Sequence, residues 1–170
     1  MTSPMPESVI SDGNVLVLWV PALSDPDAPQ LDELQNPAAL DVTCYLTDQG
    51  WQPNLAEDAA TDNRLCSRDN FEKPGRKKYT MPLIYVSNPD DPDEDEAALT
   101  LLEGALGYFV DRRGVPFEQA LAVGDIVTIY PSTLGAQQDG VPTANTPLTV
   151  MQNAYLRPPG RSWRVPVIAS

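Results

Sequence analysis

The hydrophobic positions fall in short runs broken by turn residues, and one stretch carries a helical period. Residues 76–114 hold the clearest pattern. Tyr79, Met81, Leu83 and Tyr85 alternate with Thr80, Ile84 and Val86, a β-branched and aromatic run that predicts a strand buried mainly on one face. Pro89 and Pro92 end it, since neither can donate to a ladder. Asp93, Glu94, Asp95 and Glu96 follow, acids that a helix N-terminal dipole favours by roughly 0.3–1 kcal/mol each at best. Ala98, Leu101, Leu102 and Ala105 recur at helical spacing, with Gly104 or Gly107 as the stop. The pattern predicts one α-helix over about residues 93–103. A new strand then starts at Tyr108, Phe109 and Val110 and ends at Asp111-Arg112-Arg113-Gly114.

The flanking sequence reads as further strands. Residues 14–20 form a near-continuous apolar run, expected to be a strand covered on both faces, and Pro21 stops it. A helical turn is expected around Asp32 and Glu33. Residues 40–47 predict a second strand with Val42, Cys44 and Leu46 on one face, and Asp48-Gln49-Gly50 is a turn signal before Trp51. Residues 115–122 read as a turn or a helical turn. Strands are expected at 126–130 and 148–156, with a second loop over 132–146. A terminal strand puts Trp163, Val165 and Val167 on one face, so that Trp19 and Trp163 both read as core. One helix among many strands means a sheet structure with that helix packed against it, a mainly β fold.

Two segments stand apart. Residues 1–13 are polar and are expected to be a flexible N-terminal arm, leaving 14–170 as a single β-rich domain. Residues 52–75 show little apolar periodicity and predict a long excursion from the core. One reading is an extended hairpin with limbs at 51–55 and 63–71; the other is a mobile, solvated loop.

Composition agrees with this outline. A chain of 170 residues suits one domain burying about 70% of its unfolded surface. Eighteen prolines and ten glycines spread along it favour short strands and turns over a helical bundle. No apolar run approaches the roughly 20 residues of a membrane span. The N-terminus shows neither the basic start nor the apolar segment of a signal peptide, so cytoplasmic synthesis is expected. Cys44 and Cys66, the only cysteines, are expected to be reduced and partly buried, a bridge between neighbouring strands being the alternative.

Charge changes the picture more. Eleven basic against twenty-four acidic residues give −13, and no Lys or Arg precedes Arg64. Six of the eleven crowd into one short segment: Arg64, Arg68, Lys73, Arg76, Lys77 and Lys78. One reading is plain solubility. The other is that this basic segment complements acidic surfaces between copies, giving a head-to-tail contact that can repeat. Stable nucleic-acid binding is disfavoured, because phosphates meet repulsion over most of the surface.

Candidate chemistry is sparse. The absence of histidine removes Ser-His-Asp triads, Cys-His pairs and the commonest metal ligand. Gly104, Gly107, Gly114 and Gly124 match neither a P-loop nor a dinucleotide fingerprint. The acidic run at 90–96 lacks the spacing and central glycine of a calcium-binding hand, and helix N-termini attract acids anyway. A carboxylate-only glycosidase would need an aromatic cleft, and 7% of the chain is aromatic. No catalytic, cofactor-binding or metal-binding residue is therefore assigned.

The order of segments resembles the major tail tube proteins of long-tailed, siphovirus-type bacteriophages that infect actinobacteria. The resemblance rests on the opening strand Gly13-Asn14-Val15-Leu16-Val17-Leu18-Trp19-Val20-Pro21, on Arg64-Leu65-Cys66-Ser67 and Phe71-Glu72-Lys73-Pro74-Gly75-Arg76, on Tyr108-Phe109-Val110-Asp111-Arg112-Arg113-Gly114, and on 127–137 with Tyr130-Pro131. It spans about residues 13–168, and its motifs are structural. It implies a β-sandwich or barrel with one flanking helix, and a virion protein assembled in the host cytoplasm. Such subunits form hexameric rings that stack into a tube for DNA ejection and meet the terminator, tape measure and baseplate proteins. The loop over 52–75 is then the candidate ring-to-ring contact, through Arg64, Arg68, Lys73, Arg76, Lys77 and Lys78, and residues 1–13 the candidate neighbour-touching arm. An acidic wall would let DNA slide without sticking. Competing readings are another tail ring component, such as a terminator or baseplate protein, and a ligand-binding β-sandwich using Trp19, Trp51 and Trp163.

Overall fold

The computed structural model describes residues 4–170. Ten strands and two short helices follow in the order β1 (Val15–Val20), α1 (Leu31–Leu34), β2 (Leu40–Asp41), β3 (Leu46–Trp51), β4 (Asn54–Thr61), β5 (Glu72–Val86), α2 (Glu96–Thr100), β6 (Leu106–Arg113), β7 (Ile126–Leu134), β8 (Gln138–Asp139), β9 (Thr149–Leu156) and β10 (Ser162–Pro166). All strand pairs are antiparallel. They build one sheet along the path β2-β1-β6-β7-β9-β5-β3, with β10 added on β7, β4 on β5 and β8 on β9.

The two ends of that path, β2 and β3, are consecutive in the chain, so residues 42–45 must close the sheet on itself. They do so by hydrogen bonds: the Val42 N–H donates to Val17 O at 3.0 Å, and the Val86 N–H donates to Tyr45 O at 2.8 Å. The result is a barrel-like wrap, the architecture that removes most sheet edges. Its interior holds Val17, Trp19, Met81, Leu83, Tyr85, Phe109, Tyr130, Leu134 and Val150. Trp51 on β3 reaches across to Phe109 and Tyr130, with ring centroids 5.1 and 5.6 Å away. A second core lies on the outer side of β1, β6 and β7, where Leu16, Leu18, Val20, Val110, Val127 and Ile129 are covered by Leu34 of α1, Leu121 and Val167. Both faces of β1 are thus buried, which is why residues 15–20 are apolar throughout, with no polar alternation.

Several expectations need correction. The helix expected over 93–103 covers only Glu96–Thr100. Its acidic lead-in folds instead as turns: the Glu94 N–H bonds Asp91 O, and Asp95 turns inward to accept the Asn88 N–H at 3.0 Å. Its far end is stopped when buried Gln152 donates to Leu101 O at 2.9 Å and the Gly104 N–H bonds Leu134 O. The strand expected over 40–47 breaks after Asp41, because Asp41 Oδ1 accepts the Thr43 N–H and Thr43 Oγ1 accepts the Val17 N–H, each at 2.9 Å. Side chains there replace the ladder, and Cys44 comes to the surface. Cys66 is exposed as well, so the two thiols are free and solvent-facing instead of partly buried. The strand at 126–130 continues to Leu134. Pro131 sits where the neighbour on one side changes from β10 to β9, a place where a missing donor is tolerated.

Candidate assembly interface

The segment over 52–75 is the hairpin of the two earlier readings, with different limbs. Pro53 separates β3 from β4, and β4 then pairs with the outer half of β5 from Asn54↔Thr80 to Thr61↔Glu72. The tip is 62–71, and nearly every side chain on the arm is exposed. Leu55 and Tyr79 stand opposite each other and are half-buried, and Glu57 faces Lys77. A shift in register falls between Glu57 and Ala59. There Gly75 passes so close to Asp58 that an added Cβ would meet its carbonyl oxygen at 2.5 Å, so only glycine fits.

The six basic residues do not share one role. Arg64 Nε lies 3.1 Å from Asp62 Oδ1, and Lys73 Nζ lies 2.6 Å from Asp62 Oδ2. Those two cations fasten the tip and hold the Asp62 carboxyl below the usual carboxylate range, Lys73 contributing most. Arg68, Arg76, Lys77 and Lys78 make no salt bridge among the described residues, and all four side chains face solvent. The tip also presents Leu65, fully exposed, and Phe71, more than half exposed. Between Asn54 and Thr80 the arm carries six basic and five acidic residues, leaving five basic against nineteen acidic for the rest of the chain.

Backbone is left open at the same place. Among the described residues β4 pairs only with β5, and before Met81, over residues 72–80, the side of β5 away from β4 has no strand beside it. Unpaired ladder groups of this kind are templates for another chain.

At the base of the arm lies a pocket of about 470 Å³ lined by Pro53, Asp111, Arg113, Ile126, Thr128, Tyr130, Arg161, Trp163 and Arg164. Alternation along β6 sends Asp111 and Arg113 to this side and Arg112 to the other. Asp111 is buried and accepts the Trp51 indole N–H at 3.0 Å and the Arg113 guanidinium at 2.8 Å. That hydrogen bond raises the Arg113 pKa against the opposing effect of burial. Burial, then the Asp111 charge, pushes the Tyr130 phenol up. Arg112 on the opposite face is fully buried and ties down residues 116–125 through Asp125 at 2.9 Å and the carbonyls of Pro116, Gln119 and Ala120.

Trp163 is not core, contrary to the sequence expectation. Both Trp163 and Arg164 lie opposite the single residue Thr128, because the register between β10 and β7 shifts between Ser162 and Val165. This extra residue breaks the alternation and turns Trp163 outward, 58% exposed. Arg164 takes φ 53°, a conformation costing roughly 1–3 kcal/mol for a side-chain-bearing residue. Its guanidinium sits 4.8 Å from the Trp163 ring centroid, and that of Arg161 5.8 Å. Sequence reading singled out neither arginine. Their signal was the cluster Arg161-Ser162-Trp163-Arg164 in a chain otherwise short of cations.

The acidic run at 90–96 lies at the other end of the sheet. Among the described residues no three acidic or cysteine side chains come together to hold a metal ion, and no helix is long and apolar enough to cross a membrane.

The profile of the family described as phage tail tube protein matches residues 3–165. The chain belongs to that family. As a tail tube family member it is a structural component of a phage tail and hence of the virion. A solved relative in fold, a chain of the anti-feeding prophage baseplate determined by cryo-EM with 6-fold symmetrisation, superimposes with a TM-score of 0.50 at 11% identity, covering 92% of this chain and 94% of that one. No curated protein matches.

Proposed function

We propose that this chain is the major tail tube subunit of a siphovirus-type phage infecting actinobacteria, assembled in the host cytoplasm into hexameric rings that stack around a channel for DNA ejection. The observation that carries the reading is the β4–β5 arm: a long hairpin that beyond its base, where Arg161 lies over Tyr79, is largely exposed, open along both edges and carrying four cations without a salt bridge beside a strongly acidic body. Burying that arm against the next ring satisfies its ladder groups and its charges together. The 6-fold symmetrisation of the baseplate that contains a chain of this fold supports a ring of six.

Residues 1–13 serve as the arm to a neighbouring subunit. The described part, 4–13, is exposed and has no regular strand or helix, and residues 1–3 lie outside the described residues. The body's five basic against nineteen acidic residues give DNA a repulsive wall to slide past, without specific binding. The tube also meets terminator, tape measure and baseplate proteins at its ends. Of the six basic residues expected at the ring-to-ring contact, Arg68, Arg76, Lys77 and Lys78 make it, while Arg64 and Lys73 shape the tip.

Sedimentation velocity of wild type and of R68E/R76E/K77E/K78E across a concentration series tests this. Wild type should pass from subunits to large assemblies, and the reversed variant should remain small with an unchanged unfolding midpoint. Equal assembly by both would remove the arm from the contact. A second reading, a baseplate ring, is favoured by the setting of the solved neighbour; copy number in the virion separates it, since a tube subunit is among the most abundant proteins.

A further inference from the structure

We infer that the pocket bounded by Arg161, Trp163 and Arg164 receives the acidic turn of residues 90–94 from a second copy of the chain. The inference deepens the tube reading and rests on it.

Arg161 and Arg164 make no salt bridge among the described residues. Arg164 stacks on the exposed Trp163 instead, and Arg161 lies over the rings of both Tyr79, at 5.5 Å, and Trp163, at 5.8 Å; Arg164 is held there by a backbone conformation that L side chains rarely adopt. Unpaired guanidiniums fixed beside an aromatic plane on an acidic body are a carboxylate receptor without its carboxylate. Arg113 lines the same pocket, but Asp111 already neutralises it.

The occupant follows from charge and placement. Asp90, Asp91, Asp93 and Glu94 are exposed and form no ion pair among the described residues. They cannot reach the pocket of their own subunit. The pocket uses the start of β7, at Ile126 and Thr128, whereas the acidic turn leaves the end of β5 and leads to α2, which joins the far end of β7 by way of Gly104 and Leu134. At about 3.3 Å per residue, β7 sets these sites roughly 25 Å apart. Complementary patches at opposite ends of one subunit make a heterologous contact that propagates copy after copy.

Charge exchange tests this. R161E/R164E and D90K/D91K/D93K/E94K alter exposed or half-exposed side chains, and circular dichroism checks that each still folds. In pelleting assays each should lose at least about tenfold of the sedimenting fraction, and the chain carrying both sets should recover to within about threefold of wild type, because opposite charges face each other again. Wild-type-like assembly by either single set, or a combined chain no better than its parents, overturns the contact while leaving the tube reading intact. A wild type that stays monomeric at every concentration removes both. A duplex oligonucleotide that quenches wild type but not W163F, with assembly of R161E/R164E unimpaired, assigns the pocket to phosphate and overturns the inference.

Discussion

The ammonium of Lys73 lies 2.6 Å from the Asp62 carboxylate, which also receives the Arg64 guanidinium at 3.1 Å. One acid therefore joins the last residues of the outgoing limb, the tip and the start of the returning limb. The Asp62 N–H donates to Phe71 O at 2.8 Å on the same cross-link. Because the Asp62 pKa is lowered in the folded state, its contribution is present above the unfolded carboxylate value and is lost as pH falls through the folded one. The exchange protection factors of the Asp62 and Thr61 amides, taken relative to the intrinsic rate at each pH, should fall on acidification below about pH 4, and D62N should show the lowered protection already at neutral pH. The amides of β1 and β6 should keep their protection in both cases.

Arg112 should be the most sensitive charged residue. Its guanidinium holds Asp125 and three carbonyls of the 116–125 segment, and among the described residues Asp125 has no other salt-bridge partner. R112M should cost about 3 kcal/mol, the lower end for a broken buried pair because Asp125 keeps some solvent contact. The unfolding midpoint should fall by roughly 6–12 °C. A calorimetric shift under about 1 °C would contradict the clamp.

Trp51 and Asp111 make a second test. D111A leaves an indole N–H without its acceptor and Arg113 without its anion, and should destabilise by about 2–3 kcal/mol. W51F removes the donor and keeps the Asp111–Arg113 pair, so about 1 kcal/mol is expected. Urea unfolding midpoints should rank wild type above W51F above D111A.

Cys66 reports on the arm without any mutation. It is exposed at the tip, and should react readily with a maleimide in the free subunit. In the assembled tube its modification should slow by at least about tenfold, since an arm buried between rings denies the reagent access. Mass spectrometry of the labelled peptide reads this directly.

The strands were legible where burial follows a period of two or fills both faces, as in residues 15–20 and 79–86. What stayed hidden depended on contacts between distant residues. The early end of α2 needs Gln152 and Leu134, the break after Asp41 needs the Val17 backbone, and the outward turn of Trp163 needs a single extra residue opposite Thr128. The arm was visible as a basic, aperiodic excursion, but its pairing was not, because both of its faces are wet and neither carries a hydrophobic register signal. Composition alone could not divide six cations into two that are paired at home and four that are not.

Cryo-EM of the concentrated, purified chain tests the central claim most directly. The account predicts stacked six-fold rings with the β4–β5 arm lodged against the adjoining ring and an acidic bore. A chain that remains a lone subunit at every concentration, or a tube lined by Arg and Lys whose arm stands free in solvent, would contradict it.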